Sequence, residues 1–158
     1  MQVRLIEKED ILALTELENA CFEERWSQGQ ISGSMARVDF CGVIAEESDK
    51  AVGYIFGTCL FEDAEIARIA VLEDCRQKGI GSALMDGFLT EVKKRNAERV
   101  FLEVRKSNLP AIKLYQKSGY NEKARTLGLI ILDKAVKIES STIEMIKEDI
   151  RNNLESEK

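Results

Sequence analysis

A chain of 158 residues, 44% of them hydrophobic, is the size of one domain and can bury one continuous core. It contains no histidine, which excludes serine–histidine and cysteine–histidine nucleophile pairs, removes the commonest metal ligand and leads us to expect no metal site. A net charge of −5 without interleaved aromatic and basic residues argues against nucleic-acid binding, and no run approaches the roughly 20 apolar residues of a membrane span.

The N-terminal part of the chain predicts one strand and two helices. Charge at Arg4 comes too early for a signal peptide, so we expect a cytoplasmic protein. Residues 3–6 have strand character, and residues 10–20 repeat apolar side chains at the spacing of an amphipathic helix. Ser27 is a suitable N-cap for a second, short helix.

Three strands are predicted next. Residues 40–46 and 51–60 are apolar, β-branched or aromatic runs separated by four turn-forming residues, which predicts a hairpin. A third run of the same character covers residues 64–71, after a turn signal at Glu62 and Asp63.

The following segment alternates helices and strands. Its strongest helix signal is a stripe of apolar residues four apart, Ile80, Leu84, Phe88 and Val92. A strand over residues 99–104 follows, and Asn108 can cap a further helix that ends at Gly119. The order β, α, α, β, β, β, α, β, α, with weaker strand signals after it, predicts a three-layer α/β (α+β) sandwich with a mixed central sheet and helices on both faces.

The C-terminal segment gives an ambiguous pattern. Residues 142–154 carry isoleucines at helical spacing, but their β-branched start also suits an edge strand. We assign residues 1–150 to a single domain and residues 151–158 to a charged, disordered tail.

The segment before the long helix, Arg76-Gln77-Lys78-Gly79-Ile80-Gly81-Ser82, combines two glycines with two cations. Free N–H groups at a helix start, approached closely where glycine has no Cβ, favour a phosphate group; a simple glycine-relieved turn is the alternative. Charge is consistent with an anion here and a cationic partner near the first third of the chain. Residues 1–65 hold 14 acidic and 5 basic side chains (net −9), and residues 66–138 hold 8 and 15 (net +7), although uneven charge also serves solubility.

This segment fits the pattern R/Q-x-x-G-x-G/A, and the sequence resembles the GNAT family of N-acetyltransferases over nearly its whole length. The resemblance extends to the bacterial ribosomal-protein-alanine N-acetyltransferases, through residues 68–71, 76–84, 102–105, 107–108 and 111–120. It implies transfer of acetyl from acetyl-CoA to an amine, on a fold whose fourth and fifth strands splay apart to admit the pantetheine arm.

The resemblance also implies which residues bind the cofactor. Backbone groups of the fourth strand would hold the pantetheine arm, and the glycine-containing segment would wrap the pyrophosphate. The implied residues are Ile69, Ala70, Val71, Arg76, Gln77, Lys78, Gly79, Ile80, Gly81, Ser82 and Asn108. An asparagine before Leu-Pro is also an ordinary N-cap of its own helix, and the two roles are compatible.

For catalysis, the resemblance implies Glu103 as a general base acting through water and Tyr115 as the acid that protonates the coenzyme A sulfur. Glu103 lies between apolar Leu102 and Val104 at a strand end, where burial can make a carboxylate more basic. An outward-facing carboxylate and an ordinary core tyrosine are the alternatives.

The sequence says less about the acceptor than about the cofactor. An α-amine with a pKa near ~7.9 costs about 3.4 kcal/mol less to deprotonate than lysine near ~10.4, which favours the N-terminus of a protein, such as a ribosomal protein. Phe22 and the segment 25–27 resemble the acceptor-side turn of these enzymes, but no tyrosine follows Tyr120, where they carry a tyrosine-rich segment. A small-molecule amine acetyltransferase and a non-catalytic acyl-CoA-binding module are the alternatives.

Overall fold

The computed structural model describes residues 1–126, 129–136, 148, 150–152 and 154. Up to residue 135, its strands and α-helices follow the predicted order: β1 (Gln2–Leu5), α1 (Ile11–Cys21), α2 (Gln28–Met35), β2 (Phe40–Glu47), β3 (Lys50–Leu60), β4 (Asp63–Val71), α3 (Ile80–Lys94), β5 (Arg99–Arg105), α4 (Leu109–Lys117), β6 (Asn121–Thr126) and β7 (Leu129–Ala135). Short 3-10 helices at Lys8–Asp10 and Glu73–Cys75 complete these elements.

The seven strands described form one mixed sheet in the order β1-β2-β3-β4-β5-β7-β6. Neighbouring strands are antiparallel except β4 and β5, which run parallel because α3 crosses between them. The pairing of β4 with β5 begins at Asp63 and Arg99 and ends at Ile66 and Leu102. Residues 67–71 of β4 and 103–105 of β5 therefore border a gap, which confirms the expected splay.

A β-bulge in β4 lies next to this gap. Gly57 of β3 is paired with Ile66, whereas the preceding Phe56 is paired with Arg68, so Ala67 is the extra residue of β4. A Cβ atom at Gly57 would lie 1.8 Å from the carbonyl oxygen of Glu65. Only glycine permits the two backbones to approach so closely.

Helices cover both faces of the sheet, as predicted. On one face, the buried stripe of α3 packs with alternate strand residues and with α4; this cluster includes Ile80, Leu84, Phe88, Val43, Ile55, Leu102 and Tyr115. On the other face, α1 and α2 bury Leu14, Leu17 and Ile31 against Ile44, Tyr54, Phe56 and Ala70. Consecutive strand residues thus serve opposite layers, which is the period of a pleated strand.

Local signals placed several element ends correctly. The Ser27 hydroxyl accepts from the backbone N–H of Gln30 at 3.1 Å, and the Gln30 side chain accepts from the N–H of Ser27 at 2.8 Å, which makes a capping box. The β2–β3 hairpin turns through Ser48 and Asp49, both with positive φ. None of the helices in the described part of the chain is long and apolar enough to cross a membrane.

Of the ambiguous segment 142–154, residues 148, 150–152 and 154 are helical, and the other positions lie outside the described residues. The helix alternative is therefore the one seen at these five positions. Of the tail 151–158, the structure describes only residues 151, 152 and 154, so the predicted disorder of the tail stays a prediction.

Candidate active site

The loop between β4 and α3 has a backbone suited to an anion. Gln77 and Gly79 have φ angles of +63° and +83°, and Gly79 is the N-cap of α3 without any side-chain hydrogen bond to the helix. The first N–H groups of α3, at Ile80, Gly81 and Ser82, have no partner within the helix. This uncapped start at the end of the β4–β5 gap has the backbone geometry that a phosphate site needs, and phosphate binding here stays a prediction.

The two cations of this loop are placed differently from each other. The Nε atom of Arg76 donates to the carbonyl oxygen of Val71 at 2.9 Å, so one of the five guanidinium donors ties the loop to the end of β4. Lys78 lies in the same loop and is exposed. Arg76 thus has a structural role in addition to any contact with phosphate.

Gly81 has a packing role that the sequence did not reveal. A Cβ atom at this position would lie 3.2 Å from Cδ2 of Leu114, so the missing side chain lets α4 approach the first turn of α3. At Gly79 a Cβ atom would meet nothing within 4 Å. Glycine is favoured at this position because its φ is left-handed. The two glycines of the motif are therefore needed for different reasons.

The open edge of β4 offers backbone groups to the gap at alternate residues. The N–H of Leu72 donates to the carbonyl of Val52 at 2.9 Å, which makes Ala70 and Tyr54 the next hydrogen-bonded pair of the antiparallel ladder. Ile69 and Val71 then point their backbone groups away from β3, towards the gap. Of the three predicted strand residues, Ala70 therefore has its backbone groups turned to β3, and cofactor binding by Ile69, Ala70 and Val71 stays a prediction.

Glu103 and Tyr115 lie on opposite sides of the sheet. Leu102 and Val104 belong to the core beneath α3 and α4, so Glu103 between them points to the face of α1 and α2. Its side chain is exposed, so the burial that the sequence led us to expect is not found. The outward-facing position was the alternative interpretation of this carboxylate.

Tyr115 is almost completely buried, with 6% of its surface exposed, and its ring lies edge-on to that of Tyr120 with centroids 6.1 Å apart. Burial raises the pKa of Tyr115 to about 12. The phenol is therefore neutral over the physiological pH range and carries a proton that it can donate.

Asn108 adopts the more ordinary of its two expected roles. Its side-chain oxygen accepts from the backbone N–H of Ala111 at 3.3 Å and caps α4, with Pro110 in the first turn. The amide NH2 group is not used by this cap, so the cap leaves a contact to a cofactor possible.

Sequence reasoning missed a buried ionic cluster on the α1 face of the gap. The carboxylate of Glu18, fully buried in α1, accepts from Nε and Nη2 of Arg68 at 2.9 and 2.8 Å, from the backbone N–H of Trp26 at 3.0 Å and from the hydroxyl of Tyr54. Burial opposes the charge on Glu18, but the hydrogen bonds from Arg68, Tyr54 and Trp26 outweigh it and lower the pKa of this carboxyl. One signal was available, because Glu18 lies four residues after Leu14 on the apolar stripe of α1.

Comparisons with known proteins show what the chain is similar to. The profile of the Acetyltransferase (GNAT) family matches residues 11–120. An N-alpha-acetyltransferase of Sulfurisphaera tokodaii is 40% identical over 92 residues, covering 50% of this chain and 55% of the relative. The ribosomal protein bS18-alanine N-acetyltransferase of Escherichia coli K12 is 27% identical over 117 residues, 74% of this chain and 78% of the relative. A crystal structure of the ribosomal-protein-S18-alanine N-acetyltransferase from Escherichia coli has the same fold, with a TM-score of 0.79 at 24% identity over 88% of this chain and 96% of the other.

Proposed function

The chain belongs to the GNAT family of acetyltransferases, as its sequence indicated, and we propose that it acetylates the α-amine at the N-terminus of a protein. As a member of this family it is an acetyltransferase that uses acetyl-CoA. The observation that supports the cofactor half of the proposal is the gap between β4 and β5, which opens beside the uncapped start of α3.

These features fit a ligand with a pyrophosphate and an extended arm. The pyrophosphate would bind the N–H groups at the start of α3, where the helix dipole favours negative charge. The arm would pair with the backbone groups of Ile69 and the N–H of Val71 as an added strand does, since the carbonyl of Val71 already accepts from Nε of Arg76. Acetyl-CoA supplies a thioester whose carbonyl carbon is open to attack by a neutral amine.

The positions of Glu103 and Tyr115 support a division of roles. Tyr115 lies in the core beneath α3 and α4, the helices that border the proposed cofactor site, and would donate its proton to the departing sulfur. Glu103 points to the opposite face, where α1 and α2 lie, and would accept a proton from the amine through water. The proposed acid and base would thus act from the two faces of the sheet.

The choice of an α-amine rests on its proton affinity and on the relatives. Because Glu103 is exposed, transfer is easiest for an amine that is already partly neutral, and an α-amine near pKa ~7.9 meets this condition better than a lysine near ~10.4. One relative described above is named an N-alpha-acetyltransferase and another a ribosomal protein bS18-alanine N-acetyltransferase. The acidic first third of the chain would attract a basic protein.

A panel of acceptors tests the proposal by measuring thiol release from acetyl-CoA. It contains a peptide that begins with Ala-Arg, the same peptide with a blocked N-terminus and an added lysine, and small amines such as polyamines, amino acids and aminoglycosides. We expect the highest kcat/KM for the free N-terminus. A higher value for a small amine would overturn the acceptor assignment, and cofactor binding without turnover of any amine would indicate a binding module.

A further inference from the structure

We infer that Arg68, held by the buried carboxylate of Glu18, is a positioning residue that fixes the loop between α1 and α2 for binding of the acceptor. Arg68 follows the bulged residue of β4 and borders the gap. Its guanidinium carbon lies 3.8 Å from the centroid of the Phe22 ring, and its Nη2 atom is 3.3 Å from the carbonyl oxygen of Glu24. The Arg68 side chain therefore joins β4, which borders the proposed cofactor site, to Phe22 and Glu24 of the loop between α1 and α2.

The inference rests on the proposed function, because it uses the side from which the acceptor approaches. If the cofactor arm enters the gap from the face of α3 and α4, the acetyl group is presented to the opposite face. Residues 22–27 lie on that face, where Arg105 at the end of β5 donates to Glu24 at 2.8 Å. An acceptor that reaches the thioester must therefore pass this loop.

The geometry of the cluster makes Arg68 difficult to replace by lysine. Its planar fork makes two parallel hydrogen bonds to Glu18 while its face stacks on Phe22, and an ammonium group offers neither arrangement. Glu18 is also fixed from the loop side by the backbone N–H of Trp26, whose ring packs against Phe56 at 5.4 Å. Loss of the fork would leave the loop without its link to β4.

The test compares Arg68→Lys with a matched substitution, Arg4→Lys. Arg4 makes a similar fork, to Asp10 at 2.8 Å from both Nη atoms, and also binds Glu46, but it lies on β1 at the far edge of the sheet. Steady-state kinetics with the Ala-Arg peptide give KM for each substrate. Trp26 is the single tryptophan of the chain, so quenching of its fluorescence by acrylamide reports on the loop directly and without turnover.

For Arg68→Lys we expect the acceptor KM to rise roughly tenfold or more, with the acetyl-CoA KM within about twofold of the wild type. Trp26 should become more accessible to acrylamide. Arg4→Lys should change neither quantity. Tyr54→Phe, which removes one hydrogen bond to Glu18 and keeps the packed ring, should act in the same direction and serves if Arg68→Lys does not fold.

Equal kinetics and equal quenching in the Arg68 and Arg4 variants would overturn the inference while leaving the proposed function intact. A wild-type protein that acetylates small amines only would overturn the proposed function instead. In that case the accessibility of Trp26 in Arg68→Lys still decides whether Arg68 holds the loop.

Discussion

Replacing Tyr115 with phenylalanine removes one hydroxyl group and keeps the ring that packs against Tyr120. Whether Tyr115 can act as the acid depends on how its pKa compares with that of the departing thiol. Burial raises the pKa of Tyr115 to about 12, whereas a free thiol has a pKa near ~8.5. Transfer of the phenolic proton to a thiolate is then uphill by about 5 kcal/mol. A kcat on the order of 10 s⁻¹ corresponds to a total barrier of about 16 kcal/mol. The proton transfer fits within this barrier, so a buried Tyr115 can still act as the acid.

We therefore expect Tyr115→Phe to lower kcat by roughly 10²- to 10⁴-fold, the usual contribution of a positioned acid. The KM for acetyl-CoA should change little, because the ring and its packing remain. The assay is thiol release at saturating acetyl-CoA and acceptor. Tyr120→Phe is the matched control, since Tyr120 is equally buried, at 3% exposure, and loses the same single atom.

The reasoning is refuted if kcat of Tyr115→Phe stays within about threefold of the wild type, or if Tyr120→Phe loses as much activity. Either result would assign Tyr115 to the hydrophobic core and leave the departing sulfur to be protonated by water. Circular dichroism of both variants separates these outcomes from a loss of folding.

Two further predictions concern the loop before α3 and the tyrosines. Gly81→Trp should abolish acetyl-CoA binding in calorimetry, whereas Gly33→Trp, at a helix position where a Cβ meets nothing within 4 Å, should bind normally; equal affinity in both would refute the phosphate site. Burial raises the pKa of all three tyrosines above the ordinary value of 10.0, namely Tyr54, Tyr115 and Tyr120. Their contribution to stability is therefore fully present below pH 10 and is lost as the pH rises through about 10 to 12 and above. Tyrosinate absorbance should appear only together with loss of circular dichroism, and ionisation near pH 10 in the folded protein would contradict the burial argument.

Local patterns were enough to predict most elements of the fold. The four-residue stripe of α3 and the alternation of the central strands are direct consequences of helical and strand geometry, so their positions were found within about two residues. Strands β6 and β7 gave weaker signals, and the order of strands in the sheet depends on pairings between distant residues. The resemblance to a known family, and not periodicity, supplied the expectation that β4 and β5 separate.

The loop before α3 and the side chains on the face of α1 and α2 differ in how far the sequence predicts them. The phosphate loop is local, because consecutive residues set both its φ angles and its free N–H groups, and the sequence predicted it. The exposure of Glu103 depends on what covers the other face of β5, which no local pattern contains. Glu18 and Arg68 are 50 positions apart, and each alone is an ordinary charged residue in an amphipathic helix or a strand.

The gap itself is set by the backbone and not by a side-chain motif. Ala67 is the extra residue of β4 directly after Ile66, the last residue that pairs with β5, and a bulge bends its strand and increases its twist. The bend needs β3 to approach closely, and Gly57 allows this because a Cβ there would overlap the carbonyl of Glu65. The bulge also shifts the alternation of side chains, so that Arg68, and not Ala67, faces the layer of α1 and α2 beside Phe56. One irregularity in β4 thus both borders the gap proposed for the cofactor arm and turns the Arg68 side chain towards Glu18.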